Sequence, residues 1–327
     1  MEIIAEVGSV HDGSFGNALK LIDLAKECGA TTAKFQLHSA EHEMVKNAPS
    51  PEYFSTESRF DYFERLSFSN QQWRSIRAHC ESVGIKFGCS IFSIEALQML
   101  TQDIGVDVLK IPSGEVTNIP LIEECSKFGD EIYLSTGMGS WEEIDKAVKI
   151  LERNNLSIFQ CTSIYPTAPK KVGLNVIKEM KDRYARPIGF SDHTLGIEFP
   201  IAAVALGATI IEKHLTFSRK MYGSDAFNAL EPAEFKAMST CISNINESLE
   251  SPVDKNDLDD LVIMKKTFQK SIYASKRIKI GSIITRADLV FLKPDEGISA
   301  AHYKELYGRK AARNIEIGEV IHLSDLI

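Results

Sequence analysis

Along the first 250 residues, short apolar runs alternate with longer segments whose apolar positions recur every three or four residues. The runs lie at 2–7, 32–36, 85–90, 106–111, 131–135, 157–161, 186–190 and 209–214. Each is short enough and apolar enough to be a buried strand. The segments between them read as amphipathic helices. In 17–28, Ala18, Leu21, Ile22, Leu24 and Ala25 share one face, and Gly29 stands where a helix stops. The same spacing predicts helices at 71–83, 93–101, 119–128, 141–153, 196–206 and 232–249. Strands alternating with helices argue for parallel β/α units, and eight of them favour a closed (β/α)₈ TIM barrel over an open sheet. No Gly-x-Gly-x-x-Gly opens a helix after a strand, so a dinucleotide fold has little support.

The texture changes after residue 250. Residues 251–265 are polar and acidic, as expected of a linker between a barrel at 1–250 and a second domain at 266–327. In that tail the pattern becomes short strands and turns, at 271–274, 277–280 and 289–293. About 60 residues make a marginal core alone, so this β-rich module is expected to dock on something. Charge divides along the same line. The tail holds eleven Lys/Arg against seven Asp/Glu, a balance of +4 within a chain of −8, so the first 265 residues carry −12. An acidic body excludes a nucleic-acid binder. The longest apolar stretch, 199–211, is too short to span a bilayer. No secretion signal is read at the start, and six scattered cysteines without a C-x-x-C pair suit reduced thiols. The expected location is the cytoplasm.

In a (β/α)₈ barrel the chemistry sits where strands end. The eight runs end in Glu6; Lys34 and Gln36; Ser90; Lys110, Ser113 and Glu115; Ser135 and Thr136; Thr162, Ser163 and Tyr165; Ser191, Asp192 and His193; Glu212 and His214. Lys34 and Lys110 lie in apolar strands, where an unpaired ammonium is costly to bury. They either pair with a barrel carboxylate such as Glu6 or Glu115, or bind a phosphate or carboxylate together with the nearby serines. A lysine of this kind also suits a Schiff base. His193 and His214, on adjacent strands, are either core residues or a divalent metal pair. Glu6 and Glu115 are candidate bases or hydroxyl orienters. Asp225 either binds a polyol or shapes a turn. His11 is intermediate, and His38, His42, His79, His302 and His322 read as surface or loop residues.

At these positions the sequence resembles the sialic acid synthase family, the phosphoenolpyruvate-dependent nonulosonate synthases. The resemblance spans nearly the whole chain. It rests on Ala5-Glu6-Val7-Gly8, His11-Asp12-Gly13, Ala33-Lys34-Phe35-Gln36, Lys110-Ile111-Pro112-Ser113-Gly114-Glu115, Leu134-Ser135-Thr136-Gly137-Met138, Cys161-Thr162-Ser163-Ile164-Tyr165-Pro166-Thr167, Gly189-Phe190-Ser191-Asp192-His193-Thr194-Leu195-Gly196, Ile211-Glu212-Lys213-His214 and Leu230-Glu231-Pro232. The tail, with Pro294 and Tyr307-Gly308-Arg309, resembles the antifreeze-like (SAF, β-clip) domain that ends these enzymes.

The resemblance implies condensation of phosphoenolpyruvate with an open-chain N-acetylated amino sugar. The sugar is N-acetylmannosamine or a 2,4-diacetamido hexose, and the products are a nine-carbon 2-keto-3-deoxy acid and phosphate. It implies a divalent metal, Mn²⁺ or Mg²⁺, held by His193 and His214. Lys34, Ser90, Lys110, Ser113, Ser135, Ser163, Tyr165 and Ser191 would bind phosphoenolpyruvate. Glu6, Asp225 and Lys293 would bind the sugar, and Glu115, Glu6, Lys110 and Gln36 would serve the chemistry. A domain-swapped homodimer is implied as well. Two departures fall on the sugar side. Lys293-Pro294 stands where Arg-Pro is usual, and Gly223-Ser224-Asp225 replaces Gly-Pro-Asp. A lysine cannot present a planar fork to an acetamido group. Rival readings are a metal-independent Schiff-base pyruvate aldolase and a non-catalytic sugar-binding protein.

Overall fold

A computed structural model describes residues 1–50 and 57–327. The chain divides into two compact units, Met1–Ser251 and Pro252–Ile327.

In the first unit eight parallel strands close into a barrel: β1 (Glu2–Gly8), β2 (Thr32–Leu37), β3 (Lys86–Ile91), β4 (Val108–Ile111), β5 (Glu131–Ser135), β6 (Asn155–Cys161), β7 (Ile188–Asp192) and β8 (Ile210–His214). β8 pairs with β1, with Glu6 opposite His214, so the first and last strands bring their ends together. All eight expected strands are present, shifted by at most a few residues. The helices are α1 (Phe15–Glu27), α2 (Ala40–Glu43), α3 (Arg59–Leu66), α4 (Asn70–Val83), α5 (Ile94–Gln98), α6 (Ile119–Cys125), α7 (Trp141–Ile150), α8 (Leu174–Tyr184), α9 (Glu198–Ala205) and α10 (Pro232–Glu250). Local chemistry starts several of them. Ser14 accepts from the Asn17 N–H, and Ser69 with Gln72 and Ser140 with Glu143 form capping boxes.

Strand alternation sorts the side chains. Ile4, Val108, Tyr133, Phe159 and Ile210 form a small cluster apart from the main core and plug the barrel interior. The large core lies between strands and helices and takes the alternate positions, such as Ala5, Leu109 and Ile211. One step above the plug, the inward positions turn polar, and there the site begins.

Three helices among the described residues of the first unit go beyond those expected. α8 sits between β6 and β7. α2 and α3 lie in the long connection after β2. α3 buries Phe60, Tyr62, Phe63 and Leu66 against Ala40 and Met44, a cluster separate from the main core.

The second unit has its own core of Ile272, Ala274, Ile278, Ile284, Leu289, Ile298, Leu306, Ala311, Ile315 and Ile321. β9 (Ser271–Ala274) and β10 (Leu289–Leu292) pair antiparallel. The expected strand at 277–280 reduces to a single bridge between Ile278 and Ile315. Helix α11 (Val262–Phe268) begins within residues 251–265. All six cysteines are free. No described helix is long and apolar enough to cross a membrane.

Candidate active site

The polar strand ends of the first unit line one cavity of about 520 Å³. Its walls include Glu6, Lys34, Gln36, Ser90, Lys110, Ser113, Glu115, Ser135, Ser163, Tyr165, Ser191, His193, His214 and Asp225, which are all the expected site residues of the barrel. Lys293 belongs to the second unit, where its ammonium lies 5.0 Å from the Phe268 ring centre.

The floor is a charged cluster. The Lys34 Nζ lies 2.6 Å from Glu6 Oε2 and 3.7 Å from Glu212 Oε1, and donates to Ser90 Oγ at 2.9 Å. The Lys110 Nζ lies 3.1 Å from Glu212 Oε2 and 3.3 Å above the Phe159 ring. Ser191 Oγ donates to Glu212 Oε1 at 3.1 Å. Neither lysine pairs with Glu115, and Glu212 bridges the two. The sequence places Glu212 at a strand end but gives it no role of its own. Its signal was alternation, which puts Ile210, Glu212 and His214 on one face of β8.

One ammonium cannot hold two carboxylates ionised in a dry site. Burial pushes the Glu6 carboxyl up to about 7, with Lys34 only partly offsetting it. Burial also opposes ionisation of Glu212, but Lys110 and Lys34 together outweigh it and hold that carboxyl down to about 2. Burial works against the Lys34 ammonium, yet Glu212 and Glu6 keep its pKa above the ordinary lysine value. Burial lowers that of Lys110. With both lysines charged, the cluster of four groups is net positive whenever Glu6 holds a proton, which suits an anion.

Hydroxyls surround this cluster. The Gly137 N–H donates to Ser113 Oγ at 3.0 Å. A side chain at position 137 would meet Ser163 Oγ at 2.5 Å and Ser113 Oγ at 2.9 Å, so only glycine lets the backbone pass this close. Glu115 sits higher, on the turn after β4. It accepts from Asn118 Nδ2 at 2.7 Å, and partial burial raises its pKa.

Two histidines face each other across the strand ends, with ring centroids 5.9 Å apart. His193 Nδ1 lies 2.9 Å from the Thr162 carbonyl. A carbonyl only accepts, so Nδ1 carries the hydrogen, and Nε2 offers a lone pair when the ring is neutral. His214 Nδ1 is buried with no hydrogen-bond partner, and burial pushes this imidazole down to about 4. A neutral, unpartnered ring nitrogen suits a divalent cation. Among the described residues no three His, Cys, Asp or Glu side chains are placed to hold one ion together. Such an ion would take at most two side chains of these types among the described residues. Behind the pair, Asp192 and Lys213 point the other way and form a buried ion pair that ties β7 to β8.

The rim is built differently. Asp225, after β8, is held by the Ser9 N–H and Ser9 hydroxyl, both 2.8 Å from Oδ2. It stands 4.0 Å from His214 Nδ1. Tyr62 of α3 donates to Ser9 Oγ at 3.0 Å and accepts from the Ser224 N–H at 3.2 Å. A proline at 224 would have no N–H to give, so this departure from the usual pattern adds a bond. Gly8, at φ +51°, clears the space where a Cβ would fall on Asp225. His38 lies in the loop after β2, as expected, and the cavity reaches it. It lines the cavity with Glu43, Met44, Arg59 and Phe63. His11 is buried against Phe68 and accepts from the Gly13 N–H at Nδ1.

Comparison with known proteins agrees with this architecture. The NeuB family matches residues 21–254, and the SAF domain matches residues 269–327. The N,N'-diacetyllegionaminic acid synthase of Campylobacter jejuni is 34% identical over 98% of both chains. The human N-acetylneuraminate-9-phosphate synthase is 33% identical over 98% of this chain and 90% of its own. Among solved structures, the N-acetylneuraminic acid synthetase of Leptospira borgpetersenii in complex with citrate is 31% identical. It aligns with a TM-score of 0.70 over 79% of this chain and 89% of that one. The chain belongs to the NeuB family and carries a SAF domain at its C-terminal end.

Proposed function

We propose that this protein is a nonulosonic acid synthase that condenses phosphoenolpyruvate with an open-chain N-acetylated amino sugar. The observation that carries the reading is the floor of the cavity. Two buried lysines share Glu212 there, ringed by serine hydroxyls and below an unpartnered histidine nitrogen. That arrangement suits a small, multiply charged anion held beside a metal-polarised partner.

In this reaction the C3 methylene of phosphoenolpyruvate attacks the sugar aldehyde, water adds at C2, and phosphate leaves. Lys34 and Lys110, with Ser90, Ser113, Ser135, Ser163 and Ser191, hold the phosphate and carboxylate, and Tyr165 closes beside them. A divalent metal, Mn²⁺ or Mg²⁺, bound by His193 and His214 would act as a Lewis acid on the aldehyde oxygen. Glu6 and Asp225 accept from sugar hydroxyls, with Gln36 next to Glu6. Glu115, whose carboxyl is raised by burial, handles a proton at the open side of the floor. The SAF unit, with Lys293, completes the sugar side in a domain-swapped homodimer.

The test is phosphate release from phosphoenolpyruvate with a panel of sugars: N-acetylmannosamine, its 6-phosphate and 2,4-diacetamido hexoses. At least one is expected to release one phosphate per product, with loss of activity on chelation and recovery on adding Mn²⁺ or Mg²⁺. No release with any sugar and metal present overturns the reading. One observation favours a second reading. Burial lowers the Lys110 pKa, which suits a Schiff-base aldolase. Borohydride trapping of substrate on the protein, with no effect of chelators, would select it.

A further inference from the structure

The proposed reaction uses Glu6 and Gln36 but leaves unexplained what orients the Gln36 amide. Strand β2 ends at Leu37, and Gln36 within it and His38 just beyond it both face the cavity. The His38 ring is sandwiched between Phe63 of α3 and Phe92 after β3. Its centroid lies 3.8 Å from one and 4.2 Å from the other, at interplanar angles of 23° and 17°. A ring stacked on both faces keeps one orientation. Its two nitrogens then have fixed partners. Nδ1 lies 2.8 Å from Glu43 Oε2, and Nε2 lies 3.1 Å from Gln36 Oε1. Glu43 is itself anchored by the Ser39 N–H at the start of α2.

Donor counting orients the chain of contacts. Gln36 Nε2 donates to Glu6 Oε1 at 2.7 Å. The Gln36 carbonyl oxygen therefore points to His38 and can only accept, as can the Glu43 carboxylate, so both ring nitrogens of His38 donate. The terminal torsion of a glutamine is broad and nearly two-fold, so nothing in Gln36 itself chooses this orientation. His38 chooses it. Removing that N–H leaves the amide free to turn its oxygen toward Glu6, two acceptors face to face. A phenylalanine at 38 would fill the aromatic stack equally well. The packing therefore does not require histidine, and the two ring nitrogens do.

We propose that His38 is a positioning residue for the sugar end of the site: locked between Phe63 and Phe92 and tied to Glu43, it holds the Gln36 amide and through it the Glu6 carboxylate. This rests on the reading that places the sugar at Glu6. It also explains why α2 and α3, which supply Glu43 and Phe63, close over this strand end.

The test compares His38→Phe, Gln36→Leu and the double variant in the phosphate-release assay. For His38→Phe, the KM for the sugar should rise about tenfold, the worth of roughly one hydrogen bond, with the KM for phosphoenolpyruvate within about twofold of wild type. If His38 acts through Gln36, the double variant should be no worse than Gln36→Leu alone. Should His38→Phe fail to fold, Glu43→Gln carries the same test, with an expected rise of about threefold in the sugar KM alone. Unchanged sugar KM, equal loss for both substrates, or losses that multiply in the double variant would each overturn the proposal. Wild type that releases no phosphate with any sugar overturns the underlying function instead, so the two failures are distinct.

Discussion

The floor and the rim of the barrel mouth are made from different parts of the chain. Floor residues stand on strands, one or two positions beyond the apolar plug, and their partners are other strands: Lys34 with Glu6 and Glu212, Lys110 with Glu212. Rim residues come from loops and short helices, and their partners lie in other loops: Asp225 with Ser9, Tyr62 with Ser224, His38 with Glu43. A strand in a closed barrel has little freedom, so the floor is set by the fold. A loop side chain has no such frame and must be tied down by hydrogen bonds. In the proposed reaction the floor takes phosphoenolpyruvate, common to every member of the class. The rim takes the sugar, which is where members differ.

This division makes the floor the more costly place to disturb. Lys110→Met removes the partner that helps ionise Glu212 and the ammonium that meets the phosphate. Its kcat/KM for phosphoenolpyruvate should fall by about 10³ or more. At the rim, Asp225→Asn keeps the Ser9 contact and removes a charge. It should raise the sugar KM by about ten- to a hundredfold and leave that for phosphoenolpyruvate nearly unchanged. A rim variant that disturbs phosphoenolpyruvate as much as the sugar would break the comparison.

The smallest effect is on stability and concerns Glu6, where floor and rim meet. Its carboxyl titrates near 7 in the fold and at the ordinary 4.5 when unfolded. The folded state thus binds the extra proton between these values. The stability this contributes is fully present below about 4.5 and is lost as pH rises through about 7. Glu6→Gln does not titrate. Its thermal midpoint relative to wild type should therefore climb between pH 5 and pH 8, by the equivalent of about 2 kcal/mol. A constant difference across that range would place the raised carboxyl elsewhere.

What the sequence made legible follows the same line. Lys34, Lys110, His193 and His214 stood out because each interrupts or ends an apolar run. Glu212 does so too, yet a carboxylate near lysines reads as a mere counter-ion until the barrel closes and joins it to both. Its partner Lys110 was expected to choose Glu6 or Glu115. Which strand ends meet depends on the stagger of the closed sheet, and no single strand contains that information. The rim was harder still. Phe60, Tyr62, Phe63 and Leu66 form a buried face on a helix of only eight residues, too short for periodicity to declare itself. His38 lies in a polar stretch, and only its spacing of two from Gln36 hinted at a shared face. α8 escaped because its buried residues, Ile177 and Met180, are few among charges.

The most direct test of the division is calorimetric binding of phosphoenolpyruvate alone, without sugar, to wild type, Lys110→Met and Asp225→Asn. Equal affinity is expected for wild type and Asp225→Asn, and a loss of at least about a hundredfold for Lys110→Met. Unweakened binding to Lys110→Met, or an equal loss in Asp225→Asn, would contradict the division.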